Sequence, residues 1–455
     1  MKVLFINDST TYANWGGRGA TIALRAMIAE CGGSIVKTLF IDDLIDRPLG
    51  QAATPSPPAP PRQGQGTLKD RVRPFVPPAL LDARRSLAAR GRASAAVDPV
   101  PGCWSDYPRS VSVVLGPENP WAELLPVFAD IDVAVVFGDG DIYGDHALPR
   151  TLLFLSFLIK TRFQKPVIVV AHSADFSHPG LLEVAEHVYP LLDDVVFRDE
   201  ISEERCRAFC RGRFAADTAF WFAPAARETW LPVAGRPTYF DVWPDKASFD
   251  PSEPYLCLGG SSLFDTADGR AIAGGYARFI RRLRSMYSGQ LVLTASCAVD
   301  QPILHDVARR LDLPLVGVAT PVQQAADILG NADAYIGGRF HPSVFALRGG
   351  TPVVALSAKS FKMEALNSMA GLPAVTFDSL SLAAEADGIG RLLSAHLGEG
   401  RRLRQRLSSW AEDMATSSWG NVSFLKRMRD ETVQAEAQAR GASSGLRAND
   451  DGAVT

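Results

Sequence analysis

Several things are scarce in this chain, and each shortage excludes a class of function. No apolar run approaches the roughly 18–20 residues that span a bilayer. The opening MKVLFINDST carries only the short run VLFI before a polar residue, too little for a secretory leader, so a cytoplasmic location is expected. Cysteine is sparse, with 6 residues in 455 and no CxxC spacing, which argues against a disulfide framework and for reduced, mostly buried thiols. Cys206 and Cys210, four apart on an expected helix without partner ligands, are assigned to packing. Excess charge is missing too: 47 basic residues face 50 acidic ones, a net of −3, so no overall field attracts nucleic acid and any anion site must be local. No GxxxxGK[ST] loop is present, which excludes a P-loop kinase. His172 and His178 flank a loop at a spacing that does not suit a metal pair, and no metal or cofactor is expected.

What the chain does have is alternation. VLFIN, SIVKTLFI, DVAVVF, PVIVVAHS and DVVFR are short buried-strand patterns separated by helix-periodic stretches, and the rhythm restarts at YLCLGGSS and runs through QLVLTAS, PLVGV, DAYIGG, PVVALS and AVTF. Strands alternating with helices predict parallel sheets covered on both faces. The expected organisation is an N-terminal Rossmann-like domain at 1–223, interrupted by a Pro-rich insertion at 48–120 with one helix, ALLDARRSLAARG, inside it. A connection at 224–254 leads to a second Rossmann-like domain at 255–400, followed by a C-terminal helix at 401–440 that reaches back across both units and a disordered polar tail at 441–455. Two open sheets facing each other form a cleft beyond the carboxyl ends of their strands, where α/β proteins bind ligands.

Three cations stand at expected strand ends. Arg339, with Gly337, Gly338 and His341, lies where the strand DAYIGG gives way to the helix PSVFALRG. Free backbone N–H groups at a helix start, beside a guanidinium and an imidazole, make an anion pocket, and the glycines permit close approach. The alternative is a tight turn with Arg339 solvated and His341 an ordinary first-turn residue. Lys359 and Lys362 occupy the same place one unit later, and Arg198 ends DVVFR before a helix start marked by Asp199 and Ser202. In the Gly-rich stretch GDGDIYGD, Asp139 and Asp141 are either turn formers or groups that bind, or take a proton from, a sugar hydroxyl. In the first βα loop, Asn14, Trp15 and Arg18 are candidates for an acceptor, with Trp15 either stacking on a sugar or buried as an anchor.

Residues 325–371, AADILGNADAYIGGRFHPSVFALRGGTPVVALSAKSFKMEALNSMAG, resemble the C-terminal signature of the polysaccharide pyruvyl transferase family. VVFRDEIS is similar to the family's Arg-Asp-x-x-Ser segment, ADTAF to the Asp-x-Ala-Phe element after it, and VVFGDGDIYGD to its glycine-rich loop. NWGGRGATIAL departs from the usual Asn-x-Gly-Asp opening, because Gly17 stands where aspartate is expected. The resemblance implies two Rossmann-like halves similar to the GT-B glycosyltransferases. It also implies transfer of pyruvate from phosphoenolpyruvate onto two hydroxyls of a sugar as a ketal, with a glycan or lipid-linked glycan as acceptor. On that reading Arg198 and Arg339 grip the donor anions with Gly338 beside them, Lys362 binds the phosphate, and His341 is a donor-binding group or the general acid. Lys362 is preferred to Lys359 because its spacing to Gly371 suits the family pattern. The acceptor side falls to the N-terminal domain and the donor side to the C-terminal one. Contact with the inner face of a membrane through the basic stretch VRPFVPPALLDARRSLAARGR is a further expectation. The competing readings are a GT-B glycosyltransferase using a nucleotide sugar and a non-catalytic anion-binding relative.

Overall fold

A computed structural model describes residues 1–45, 99–117, 119–236, 239–245 and 248–448. The helix expected inside the insertion, the basic stretch around it and the last residues of the tail lie outside these. The first sheet is 6-stranded in the order β2-β1-β3-β4-β5-β6, from β1 (Lys2–Ile6), β2 (Ser34–Leu39), β3 (Val133–Tyr143), β4 (Val167–Asp175), β5 (Asp194–Phe197) and β6 (Arg213–Phe214), all parallel. The chain steps from β1 outward to β2 and then returns past β1 to β3, so the switch point lies between β1 and β3. The second sheet, also 6-stranded, has the order β12-β11-β8-β9-β10-β7, from β7 (Val242–Trp243), β8 (Tyr255–Ser261), β9 (Gln290–Thr294), β10 (Leu315–Val316), β11 (Ala334–Gly338) and β12 (Val353–Ala355). All pairs are parallel except β7 with β10, and the switch point lies between β8 and β11. This is the doubly wound α/β architecture expected, in two copies.

The strands form where expected because their runs of Val, Leu, Ile and Phe are buried on both faces: β1 from Val3 to Ile6, β4 from Val167 to Ala174 and all of β8. The edges differ from expectation. The segment 224–254, expected only to connect, contributes a helix, Arg227–Ala234, and the antiparallel strand β7. AVTF is not a strand and keeps only an isolated bridge from Phe377 to Leu356. The C-terminal helix is two, Arg401–Ser418 and Ser423–Ala448, separated by a short 3-10 turn, and its second part runs on through GASSGLRA into the segment expected to be a disordered tail.

One hydrophobic core belongs to both halves. The helix Trp15–Glu30 buries Trp15, Leu24 and Met27 against Val322 and Phe345 of the second half and Leu425 of the C-terminal helix. Burying Trp15 and Phe345 stabilises this junction by about 2–3 kcal/mol each. A Cβ on Gly19 would lie 2.9 Å from Phe345, so the glycine lets the two halves meet closely. The C-terminal helices tie both halves together. Arg404 donates to the carbonyls of Gly330 and Gly349 in the second half, while Asn421 accepts from Ala171 N–H at 2.8 Å and donates to Ala216 O in the first. Among the described residues, no helix is long and apolar enough to cross a membrane.

Candidate active site

A polar cavity of about 200 Å³ opens between the sheets, lined from both halves by residues that follow the strands' carboxyl ends. From the first sheet come Asp139, Gly140, Asp141 and Tyr143 of β3 and Arg198 just after β5; from the second, Ser262 after β8, Ser296 after β9, Arg339 and His341 after β11, and Lys359 and Lys362 after β12. The structure therefore brings Arg198, Arg339, His341, Lys359, Lys362, Asp139 and Asp141 into one cleft, along with Asn14 at its edge.

Arg198 is 1% exposed. Its Nη1 donates to Asp139 Oδ1 at 2.7 Å and Asp217 Oδ2 at 2.8 Å, its Nε donates to Ser173 Oγ at 2.9 Å, and its guanidinium lies 4.1 Å from the centre of the Phe340 ring. His341 joins this cluster. Its Nε2 is 3.5 Å from Asp217 Oδ2, 3.6 Å from Asp139 Oδ1 and 3.5 Å from Arg198 Nη1. Burial alone would push the Asp217 carboxyl up, but His341 and Arg198 beside it hold it well below the usual carboxylate range. Arg339 caps the start of the helix Phe340–Arg348, and its Nε and Nη2 both donate to Asp300 Oδ1, at 3.3 and 2.8 Å, while Ser296 Oγ donates to the other oxygen of the buried Asp300.

The two lysines differ. Lys359 is neutralised by Asp265 at 2.7 Å. Lys362 opens the helix Lys362–Met369 and makes no hydrogen bond or ion pair among the described residues; burial and the neighbouring Arg198 charge push its ammonium down to about 8. On the facing wall, Asn7 Nδ2 donates to Asp141 Oδ2 at 2.9 Å, and burial together with the charge of Asp139 pushes the Asp141 carboxyl up to about 7.

Four placements correct the sequence reading. Trp15 is fully buried, with Nε1 donating to Val318 O at 3.1 Å, so it anchors the two halves and presents no face to a sugar. Arg18 donates to the carbonyls of Val318 and Thr320 and does not line the cleft; the second half covers the βα loop that was expected to be open. Gly338 also lies below the cleft, where a Cβ would meet Ser357 O at 2.8 Å and Ser261 Cβ at 2.9 Å, so its smallness serves sheet packing rather than ligand approach. The stretch GDGDIY is not a turn but the end of β3, which runs six residues beyond the expected DVAVVF, to Tyr143, and carries Asp139 and Asp141 into the cleft. Asn14 keeps its place at the edge, where its side chain caps the helix Trp15–Glu30 by accepting from Gly16 and Gly17 N–H. His172 is a core residue bonded to Val196 O and Tyr189 OH, pushed down to about 3 by burial. Cys206 and Cys210 pack in the outer core of the first sheet. No cluster of metal-ligating side chains occurs among the described residues. Sequence reasoning missed Asp217 and Asp300, the two buried carboxylates that hold Arg198 and Arg339; the only signal for either was the ADTAF segment that contains Asp217.

Against known families, the sequence model of the polysaccharide pyruvyl transferases matches residues 54–360, well over half of the chain. The chain belongs to the polysaccharide pyruvyl transferase family. It is therefore a transferase, and the matched span includes Asp139, Asp141, Arg198, Asp217, Asp300, Arg339 and His341 but stops short of Lys362 and leaves out the first βα loop. Among curated proteins, none matches significantly. Among solved structures, UDP-GlcNAc 2-epimerase from Neisseria meningitidis bound to UDP-GlcNAc is similar over 96% of this chain and 100% of that one, at 11% identity and a TM-score of 0.51. UGT89C1 from Arabidopsis thaliana complexed with quercetin covers 94% of the transferase and 99% of its own chain, at 12% identity and a TM-score of 0.49. The epimerase likeness bears on the fold alone: two facing Rossmann-like halves, the GT-B arrangement.

Proposed function

We propose that the cleft binds phosphoenolpyruvate and transfers its enolpyruvyl group to a sugar of a cell-surface polysaccharide or its lipid-linked precursor, forming a pyruvate ketal and releasing phosphate. The observation that carries this reading is Lys362, a cation that makes no ion pair among the described residues, facing the same cavity as Arg339. A small donor bearing both a carboxylate and a phosphate needs such convergence, since a lone cation holds one anion and leaves the other free to rotate. Arg339, fixed by Asp300 along one edge of its guanidinium, lines the cleft, and Lys362 complements the phosphate. His341 stands next to both walls and is assigned the proton delivered to C3 of the donor, which becomes the methyl group and leaves C2 open to an acceptor hydroxyl. No cofactor enters this scheme. A cytoplasmic place at the inner membrane face accompanies the proposal where the acceptor is lipid-linked.

Isothermal titration of phosphoenolpyruvate into the wild type, Arg339→Ala and Lys362→Ala, with a panel of UDP-sugars alongside, tests it. Binding by the wild type that weakens about 10–100-fold in either variant is the expected result, the loss of one charged hydrogen bond. Binding of a UDP-sugar with none of phosphoenolpyruvate would replace the reading with a glycosyltransferase.

A further inference from the structure

Among the described residues of the cleft, the cations and carboxylates pair off: Arg198 with Asp139 and Asp217, Arg339 with Asp300, and Lys359 with Asp265. Two groups make no ion pair among the described residues, Lys362 on the C-terminal wall and Asp141 on the N-terminal one, and they act on each other only across the cleft. Asp141 is held from one side only. Asn7, buried and in a left-handed backbone conformation at φ 73°, spans the switch point between β1 and β3 by donating to Phe137 O and to Asp141 Oδ2, both at 2.9 Å. Asp139, just before it, is likewise left-handed at φ 45°. A non-glycine residue held there is strained, and the strain here coincides with a carboxyl aimed into a ligand cleft. Asp141 Oδ1 makes no hydrogen bond among the described residues.

Resting on the phosphoenolpyruvate reading above, we propose that Asp141 is the catalytic acid–base residue for the acceptor, the carboxyl that takes the acceptor's hydroxyl proton and hands it to the departing phosphate. The proton balance supports two separate groups. As the C2–C3 π pair captures the proton from His341, C2 becomes electron-deficient. The first hydroxyl oxygen bonds to C2 while its proton passes to Asp141. Asp141 then protonates the bridging oxygen as the C2–O bond to phosphorus breaks, and phosphate leaves. The carboxylate so restored accepts the second hydroxyl's proton as the second C–O bond closes the ketal. Of the two hydroxyl protons, one leaves on phosphate; the other is released from Asp141 to water while His341, which supplied the methyl hydrogen, regains a proton from water, so both groups return to their starting states. Such a residue must change charge near neutral pH, as Asp141 does with its carboxyl pushed up to about 7 by burial and by Asp139, while Asp139 stays engaged by Arg198. The charged or titratable groups around it are Asp139 and Tyr143 on its own strand, Arg198 from the end of β5 and Lys362 across the cleft.

Asp141 has to be a carboxylate when the acceptor arrives, so turnover at saturating phosphoenolpyruvate rises with pH through the titration of this carboxyl and levels above it. The pH profile of phosphate release with neutral p-nitrophenyl hexosides measures that rise. The wild type is expected to show it. Asp141→Asn should bind the donor within about threefold of the wild type, lose the rise, and release phosphate about 10²–10⁴-fold more slowly. A rise kept unchanged in Asp141→Asn, or turnover kept within threefold, would overturn the assignment. A wild type that binds no phosphoenolpyruvate would instead sink the donor reading on which the assignment stands.

Discussion

On the N-terminal wall of the cleft Arg198 is enclosed, its terminal nitrogen shared between Asp139 and Asp217 and its plane laid on Phe340, whereas on the C-terminal wall Lys362 reaches the cleft with no partner among the described residues. The same kind of charge does two jobs. A buried arginine with two carboxylates has its charge already answered and contributes chiefly position: it fixes Asp139, Asp217 and His341 relative to one another. A lysine whose ammonium is pushed towards neutrality has its charge still to be answered, and an anionic ligand would do so. Arg339 is intermediate, tied to Asp300 along one edge with part of its guanidinium open to the cavity.

The largest expected effect comes from breaking the enclosed side. Arg198→Met removes the cation from two carboxylates, one of them the fully buried Asp217, and should destabilise the fold by about 3–5 kcal/mol, the usual cost of leaving a buried charge unpaired. Urea unfolding measures it. Lys362→Met, by contrast, removes a desolvated charge that has no partner and should leave the unfolding midpoint unchanged or slightly raised. Equal losses in both variants would erase the distinction between the walls.

A second variant reaches His341 from the opposite half. A Cβ on Gly16 would lie 2.3 Å from His341 Nδ1 and 2.4 Å from its Cβ, closer than atoms can pack, so Gly16→Ala must displace the imidazole or part the halves locally. A shift of about 1 Å in a catalytic group costs roughly 10²-fold in rate. Gly16→Ala should therefore lower kcat by about that factor with donor affinity changed much less. A loss confined to donor affinity would make His341 a binding group and not the acid.

How much of this was readable in the sequence follows from where each residue sits in the chain. Arg339 and His341 were legible because their strand-to-helix junction has a local signature, an aromatic and aliphatic run ending in glycine and then a helix start, while Lys362 was singled out from Lys359 only by its spacing to Gly371 in the family pattern. Their carboxylate partners were not: Asp217 is 19 residues from Arg198 and Asp300 is 39 from Arg339, and nothing local distinguishes a buried aspartate that holds an arginine from one that caps a helix. The two-residue edge strands β6 and β7 are too short to leave a periodicity. Trp15 and Arg18 were misplaced for a different reason. A βα loop at a sheet's carboxyl edge is normally open to ligand, and only the packing of the second half, through Val318 and Thr320, closes this one.

The smallest effect is also the sharpest test of the open side. Lys362, pushed down to about 8, is charged below that pH and neutral above it. A donor that prefers the ammonium raises its titration on binding, so the bound state holds more protons than the free state above pH 8, and affinity must fall as pH rises there, by at most tenfold per unit for one proton. Below pH 8 this contribution is fully present and level. Lys362→Arg keeps a positive charge at every accessible pH, because a guanidinium does not titrate below about 12. In that variant the decline in phosphoenolpyruvate affinity between pH 8 and 9.5, followed by isothermal titration, should vanish. If Lys362→Arg declines as steeply as the wild type, the ammonium does not meet the donor, and the cation that does must be sought in the free edge of Arg339.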